Sequence, residues 1–409
     1  MAYTGTNTLA TLNGFFKEVY SANLENLIPD GVKLMSKIPF VKRDSQIGNL
    51  YHQPVILGHE HGVTFASGDV DAFSLNDAVP GQIKDAQVQG TQLVLRSVIG
   101  YTAASRSAEG GSKAFKEATK YLVENMLRSV TKKLEIELFY GQVGYGAVSA
   151  VSTTVITIST AEWAPGIWAG AEGMPIEIRD AAGTTSRGNF NIVSVDFDNK
   201  QITLSADAAA AGVIATDIIW HKGAYGNEFA GMHKIITNTG SLFNISAATY
   251  SLWKGNSFSA SSAALSFQKL QDAIARAVEK GLDSDVSVFV NPKTWADLLN
   301  DQAALRQYDS SYSSGMAENG AKEIKFHGQN GMIEIVPSIY CKEGYAYVMS
   351  PREFVRIGST DVTFRRPGKG DDFFRELENA AGYEMRCFSD QALFCMAPGR
   401  NVLITDIVN

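Results

Sequence analysis

The stretch Ser112–Tyr140, SKAFKEATKYLVENMLRSVTKKLEIELFY, limits what this chain can fold into more than any other. Its 29 residues contain no glycine and no proline, and strong helix formers fill most of them. Apolar side chains recur at Phe115, Ala118, Leu122, Met126, Val130, Leu134 and Leu138. Steps of three and four put them on one stripe of a 3.6-residue helix. Glu124 and Arg128 form an i,i+4 pair with the acid first. Ser112 follows Gly110-Gly111 and predicts the N-cap, and Gly141 predicts the stop. At 1.5 Å per residue the helix is a rod roughly 43 Å long, well beyond the usual three or four turns. A long helix can also sit inside an ordinary enzyme, so the rest of the chain must decide.

Upstream, residues 1–45 carry short amphipathic pieces (Leu12, Phe15, Phe16, Val19, Tyr20, then Leu24 and Leu27), broken by Pro29-Asp30-Gly31 and Pro39. Apolar residues without the length for a core predict an arm that packs along something else. Residues 46–107 predict two strands, Leu50–Leu57 and Gln92–Thr102, as the two sides of a projection. About thirty residues separate them, punctuated by glycine and proline and rich in aspartate. A loop of that length is functional or flexible, and a lone hairpin needs a surface to lie on. Another copy of the chain could supply it.

Downstream of the rod the period switches to two. TVITIS (154–159), PIEIRD (175–180), RGNFNIVSVDF (187–197), KQITLS (200–205) and TDIIWH (216–221) predict five short strands. They suggest a small sandwich or barrel inserted at about 145–224. From residue 265 the pattern becomes α/β. Phe267–Lys280 is an amphipathic helix, VSVFVN (286–291) a buried strand, and Pro292 starts a second helix. A polar loop, Tyr308–Gly320, precedes strands at 323–326, 332–337 and 345–349. Runs at 354–357, 361–365, 382–388 and 391–396 then return toward the rod.

Chemistry is sparse. The net charge of −7 argues against a sequence-reading nucleic-acid binder. No run of 18 apolar residues suggests a membrane span, and residues 1–14 lack the pattern of a signal peptide. Cys341, Cys387 and Cys395 have no metal or redox spacing and read as small core residues in a reducing compartment. His59-Glu60-His61 could hold a metal, but no third ligand is placed and a solvated loop fits better. Gly141, Gly144 and Gly146 follow a helix, whereas a phosphate cradle precedes one, so they read as linker. Asp283/Asp285 and Asp371/Asp372 read as turn residues rather than acid/base pairs. No motif supports catalysis, and no metal or cofactor is expected.

The order of parts carries a resemblance. The passage from Gln92–Gly100 into the rod, the run QKLQDAIARAVEKG…VSVFVNPKTWADLL, and the close GYEMRCFSDQALFCMAPG (382–399) together resemble the HK97-fold major capsid protein of tailed bacteriophages. The resemblance covers most of the chain and is architectural, since this fold has no short invariant motif. It implies an α+β capsid fold divided into an N-terminal arm (1–45), an E-loop (46–107), the spine helix of the P-domain (108–144), an inserted β domain (145–224), a P-domain segment (225–264), an A-domain (265–355) and returning P-domain strands (356–409).

The implied function is structural: pentamers and hexamers tile an icosahedral head around double-stranded DNA, without turnover. Contacts between subunits would involve Phe65, Phe73, Leu75 and Lys84 in the projection and Tyr308 and Tyr312 in the A-domain loop. Some relatives cross-link through an E-loop lysine. Lys84 is the only lysine in the projection, and no partner can be assigned to it. The implied partners are further copies, a separate scaffolding protein (no delta domain is visible), the portal and a decoration protein. The implied location is the virion, after assembly in the host cytoplasm. Two alternatives stand beside this reading. One is an encapsulin-type shell, although encapsulins are generally shorter. The other is a glycan-binding adhesin using Trp163, Trp168 and Trp220, for which a barrel core is the simpler role.

Overall fold

The computed structural model describes residues 31–42, 50–69, 72–102, 112–300, 324–365 and 374–409; for 112–121 only the backbone is considered. The long helix spans Ser112–Tyr140, as predicted. Leu122, Met126, Val130, Leu134 and Leu138 are all buried; Phe115 and Ala118 lie outside the described side chains. Toward its C-terminus the helix departs from a simple stripe. Every residue from Leu134 to Tyr140 is buried, Glu135 and Glu137 included, so this end is enclosed all round.

The stop also works differently. Gln142, not Gly141, takes the left-handed conformation (φ 63°). Gly141 is needed because another strand of backbone crosses it: a Cβ there would lie 2.2 Å from the Phe229 carbonyl oxygen. Gly231 donates its N–H to the Gly141 carbonyl at 2.9 Å, and no side chain fits between the two.

Two sheets flank the helix. The first joins Phe40–Lys42, Phe354–Thr363, Gly382–Cys395 and Phe374–Glu376, with Thr91–Gly100 on the other side of Gly382–Cys395. The runs read separately at 354–365 and 382–396 are two continuous strands, kinked by register shifts between Ile357 and Thr363. The second sheet has six strands in the order Asn256–Ala263, Val402–Ile407, Ala346–Met349, Val286–Val290, Gly331–Pro337, Ile324–Gly328. Val286–Val290, VSVFV, is buried at every position, its one polar residue Ser287 included. Helices Phe267–Val278 and Pro292–Asn300 accompany this sheet, and Ser266 caps the first by accepting from Lys269 N–H. Residues 356–409, grouped together in the sequence, are therefore shared out: Val402–Ile407 belongs to the second sheet.

The segment after the long helix is a closed six-stranded barrel. The five predicted strands are present, and Gly146–Ser152 is the sixth. Its sequence, GAVSAVS, is built of small residues and carries little strand signal. Trp163 and Trp168 stack with ring centroids 6.1 Å apart, and both are buried, as is Trp220. They are core, and a sugar platform is not available from them. Cys341, Cys387 and Cys395 are buried and free. Asp285 accepts the Met332 N–H at 2.8 Å and so ties the start of Val286–Val290 to Gly331–Pro337 rather than closing a turn; Asp371 and Asp372 lie outside the described residues.

Candidate assembly interface

The projection is a hairpin, but with a different second strand. Leu50–Gly58 pairs with Gln82–Gln89 from Leu50↔Gln89 to Ile56↔Ile83. Thr91–Gly100, expected as its second strand, pairs instead with Gly382–Gln391. QIKDAQVQ carries little strand signal, because only Ile83, Ala86 and Val88 in it are apolar. Ala86 and Val88 are buried at the hairpin's base, whereas Ile83, further out, is 64% exposed. The base is fastened to the body: Gln87 donates its N–H to the Phe243 carbonyl at 3.0 Å. Tyr51 packs edge-on against Phe394 at 5.7 Å.

Beyond Gly58 and Gln82 the described loop holds its own shape. His61 N–H donates to the Val79 carbonyl at 3.1 Å, Asn76 N–H to Thr64 Oγ1 at 2.8 Å, and Asn76 Nδ2 to the Val63 carbonyl at 3.0 Å. Its large apolar side chains nevertheless face outward: Phe65 is 91% exposed, Leu75 78% and Phe73 52%. Burying each would contribute about 1.5–3 kcal/mol. Lys84 shares the hairpin and is exposed, with Nζ 6.0 Å from the Tyr250 ring. His59 and His61 are solvated at the loop's start. Tyr308 and Tyr312 lie outside the described residues.

A second anchor was not visible in the sequence. The Glu135 carboxylate, 0% exposed, accepts three backbone N–H bonds from the first turn of helix Leu34–Lys37. Lys33 and Leu34 donate to Oε1 at 2.9 and 2.7 Å, and Met35 to Oε2 at 2.8 Å. One side chain thus caps a helix a hundred residues away. Burial pushes the Glu135 pKa up, against the pull of the three N–H groups and of Arg356. Arg356 completes the attachment: its N–H donates to the Pro39 carbonyl at 2.9 Å and its Nε to the Ile38 carbonyl at 3.1 Å. Phe40–Lys42 then runs parallel to Arg356–Gly358.

Helix, barrel and second sheet meet at Lys342, which is 1% exposed. Its Nζ donates to the Gly144 carbonyl at 3.2 Å and to the Glu162 carboxylate, and lies 4.3 Å from the centre of the Tyr140 ring. Tyr345 Oη donates to Glu162 at 2.6 Å. Burial works to raise the Glu162 pKa, but the Lys342 charge and the two hydrogen bonds outweigh it and hold the group below its ordinary value. The glycine cluster is therefore a linker whose Gly144 carbonyl is part of this lock.

No protein-family model and no curated protein matches this sequence. The fold, by contrast, is shared over its whole length with solved shells. The capsid asymmetric unit of cyanophage A-1(L) is similar at 11% identity, covering 98% of this chain and 100% of that one, with a TM-score of 0.57. The capsid of a native GTA particle is similar at 9% identity, covering 98% and 99%, with a TM-score of 0.52. The SrpI encapsulin of Synechococcus elongatus also matches, at 7% identity over 99% and 96%, with a TM-score of 0.45. The chain has the α+β fold of HK97-type capsid proteins, with a six-stranded barrel inserted after its long helix.

Proposed function

We propose that this protein is the major capsid protein of a tailed bacteriophage, assembling as pentamers and hexamers into an icosahedral head around double-stranded DNA. The observation that carries the reading is the loop of residues 59–81, where Phe65 and Leu75 are the two most exposed large apolar side chains among the described residues. Apolar side chains held outward by a hydrogen-bonded loop suit a contact with a neighbouring copy. A modest contact repeated around every subunit adds up to a stable shell.

On this reading residues 1–45 are the arm, 46–107 the E-loop, 108–144 the spine helix, 265–355 the A-domain and 356–409 returning strands, with 225–264 joining the barrel (145–224) to the rest. Phe65, Phe73, Leu75 and Lys84, with Tyr308 and Tyr312, lie at contacts between subunits. A net charge of −7 suits a wall that encloses DNA without gripping its phosphates. A separate scaffolding protein, a portal and a decoration protein complete the particle, which forms in the host cytoplasm. The protein has no turnover.

Negative-stain imaging and sedimentation of purified protein, alone and with its scaffolding protein, test the reading. Closed shells or capsomer rings are expected. A monodisperse monomer under both conditions overturns it.

A further inference from the structure

The long helix and the inserted barrel leave a cleft of about 660 Å³ between them, with the strand Thr91–Gly100 as a further wall. That volume lies in the range of small-molecule sites, about 300–1,000 Å³. Much of the wall is apolar. Leu93 and Leu95 come from the strand, Val130 and Ile136 from the helix, and Ile167 and Met174 from the barrel.

One group in this wall is out of place. A lysine ordinarily lays its stem on the protein and holds its ammonium in water. Lys133 does the reverse: the residue is only half-buried, yet its Nζ is out of solvent and has no hydrogen-bond partner among the described residues. The face of the Tyr145 ring lies 4.4 Å from Nζ and attracts its charge, but offers no lone pair. A buried ammonium in this state is costly until an acceptor reaches it.

The carboxylates beside it are committed elsewhere. Glu137 Oε1 accepts the Phe229 N–H at 3.2 Å, and Glu228 Oε2 accepts the Gln142 N–H at 3.3 Å. Burial raises the pKa of both, that of Glu137 to about 8. Glu137 is therefore mostly an uncharged acid at neutral pH, able to donate a hydrogen bond to an anion rather than repel it. Burial lowers the Lys133 pKa to about 7, against the pull of these acids. Burial, with the Lys133 charge, also lowers that of His221 to about 4. At the rim Arg128, Lys132 and Lys222 stand against Glu172, so the opening is positive on balance.

We propose that this cleft binds a small amphiphilic carboxylate, its head group on Lys133 and its apolar chain along Leu93, Leu95, Ile136 and Met174. The inference does not rest on the shell reading and goes beyond it. The carboxylate supplies the acceptor that Lys133 lacks, and the chain displaces water from a wall poor in hydrogen bonds. Such a ligand touches helix, sheet and barrel at once, and so holds the inserted barrel against the body. A carboxylate beside Lys133 also favours the charged ammonium, so binding near pH 7 takes up a proton.

Calorimetric titration of the full-length protein with decanoate tests this, with decanol and acetate as controls. Decanoate should saturate a single site per subunit. Decanol, which lacks the charge, and acetate, which lacks the chain, should each bind about tenfold more weakly or worse. The observed heat at pH 7 should vary with the ionisation enthalpy of the buffer, which reports the proton taken up. Lys133→Met keeps most of the volume, removes the ammonium, and should erase the preference for decanoate over decanol; circular dichroism checks its fold. The assignment is overturned if decanoate saturates no single site, if either control binds as tightly, if the heat is the same in every buffer, or if folded Lys133→Met keeps the preference. Should that variant misfold, the head-group preference and the buffer dependence of wild type decide the matter. Assembly does not enter these measurements, so their failure leaves the shell reading untouched.

Discussion

The junction at Lys342 and the loop at Phe65 break the usual rule of burial in opposite directions. At the junction a buried ammonium meets a half-buried carboxylate, and each is satisfied: Lys342 by Gly144 and Glu162, Glu162 also by Tyr345. On the loop, aromatic and aliphatic side chains face water with nothing over them. The first site is complete within one chain. The second finds no cover within the described residues of its own chain. A charge brought inside needs partners from the same fold, because an unpaired buried charge costs several kcal/mol. Exposed apolar groups carry no such immediate penalty and can wait for another molecule.

If that contrast is right, damage near the junction unfolds the subunit, whereas damage to the loop leaves it folded and prevents assembly. The largest effect is expected from Met126→Pro, in the buried part of the long helix. It removes a helix hydrogen bond and clashes with the preceding turn, costing about 3 kcal/mol or more before lost packing is counted. Soluble subunit should disappear from expression trials, and normal yield would show that the helix is not central.

Lys342→Ala comes next. It leaves the half-buried Glu162 without its counter-charge and opens a cavity where the lysine stem was, and should cost about 3 kcal/mol, seen as a lower midpoint in urea. A midpoint unchanged from wild type would mean that the junction is not completed from within.

His233 gives an effect that is absent at neutral pH and grows only as the pH falls. Its ring shares a hydrogen bond of 2.8 Å with Tyr347, and burial, helped by the Lys342 charge, lowers its pKa from 6.5 to about 4. The folded state therefore binds fewer protons than the unfolded one between these values. This group's contribution is intact above pH 6.5 and is lost toward pH 4, by up to about 1.4 kcal/mol per pH unit. The stability difference between wild type and His233→Gln should slope across that window and be flat above it. A constant difference would show that the imidazole is not held neutral.

The smallest effect on the isolated subunit is expected from replacing residues 59–81 with a short turn. The melting of the subunit should hardly move, yet shells should not form. Extending the deletion through Gln89 should destabilise the subunit, because Ala86 and Val88 are buried. A shortened loop that still yields normal particles would remove the contrast altogether.

The sequence was legible where one period ran uninterrupted. Ser112–Tyr140, Phe267–Val278 and Val286–Val290 lie close to where their patterns put them, since each buries one face or all faces along its full length. It was illegible where tertiary contact decides. QIKDAQVQ is a strand because Leu50–Gly58 lies beside it, and GAVSAVS because the barrel must close. The bare loop was readable from its sparse Phe65, Phe73 and Leu75 among glycines and aspartates. A cleft of about 660 Å³ between the long helix and the barrel was not, since its lining is drawn from Gln92 to Leu95, one face of the helix from Asn125 to Glu137, and separate positions such as Ile167, Glu172, Lys222 and Tyr340. Nor was Glu135 distinguishable from a solvated acid, because what buries it is residues 33–35.

The order of the six-stranded sheet also bears on when a subunit becomes able to assemble. Val402–Ile407 lies between Asn256–Ala263 and Ala346–Met349 and pairs with both. On a ribosome, Asn256–Ala263 emerges early but has no neighbour in its sheet until some 140 further residues have been made. Contacts of such sequence separation form slowly and late. A nascent chain therefore carries its projecting loop, translated long before, on a body that is not yet closed. The second sheet therefore closes only once residue 407 has been made, and until then the edge of Asn256–Ala263 has no strand beside it.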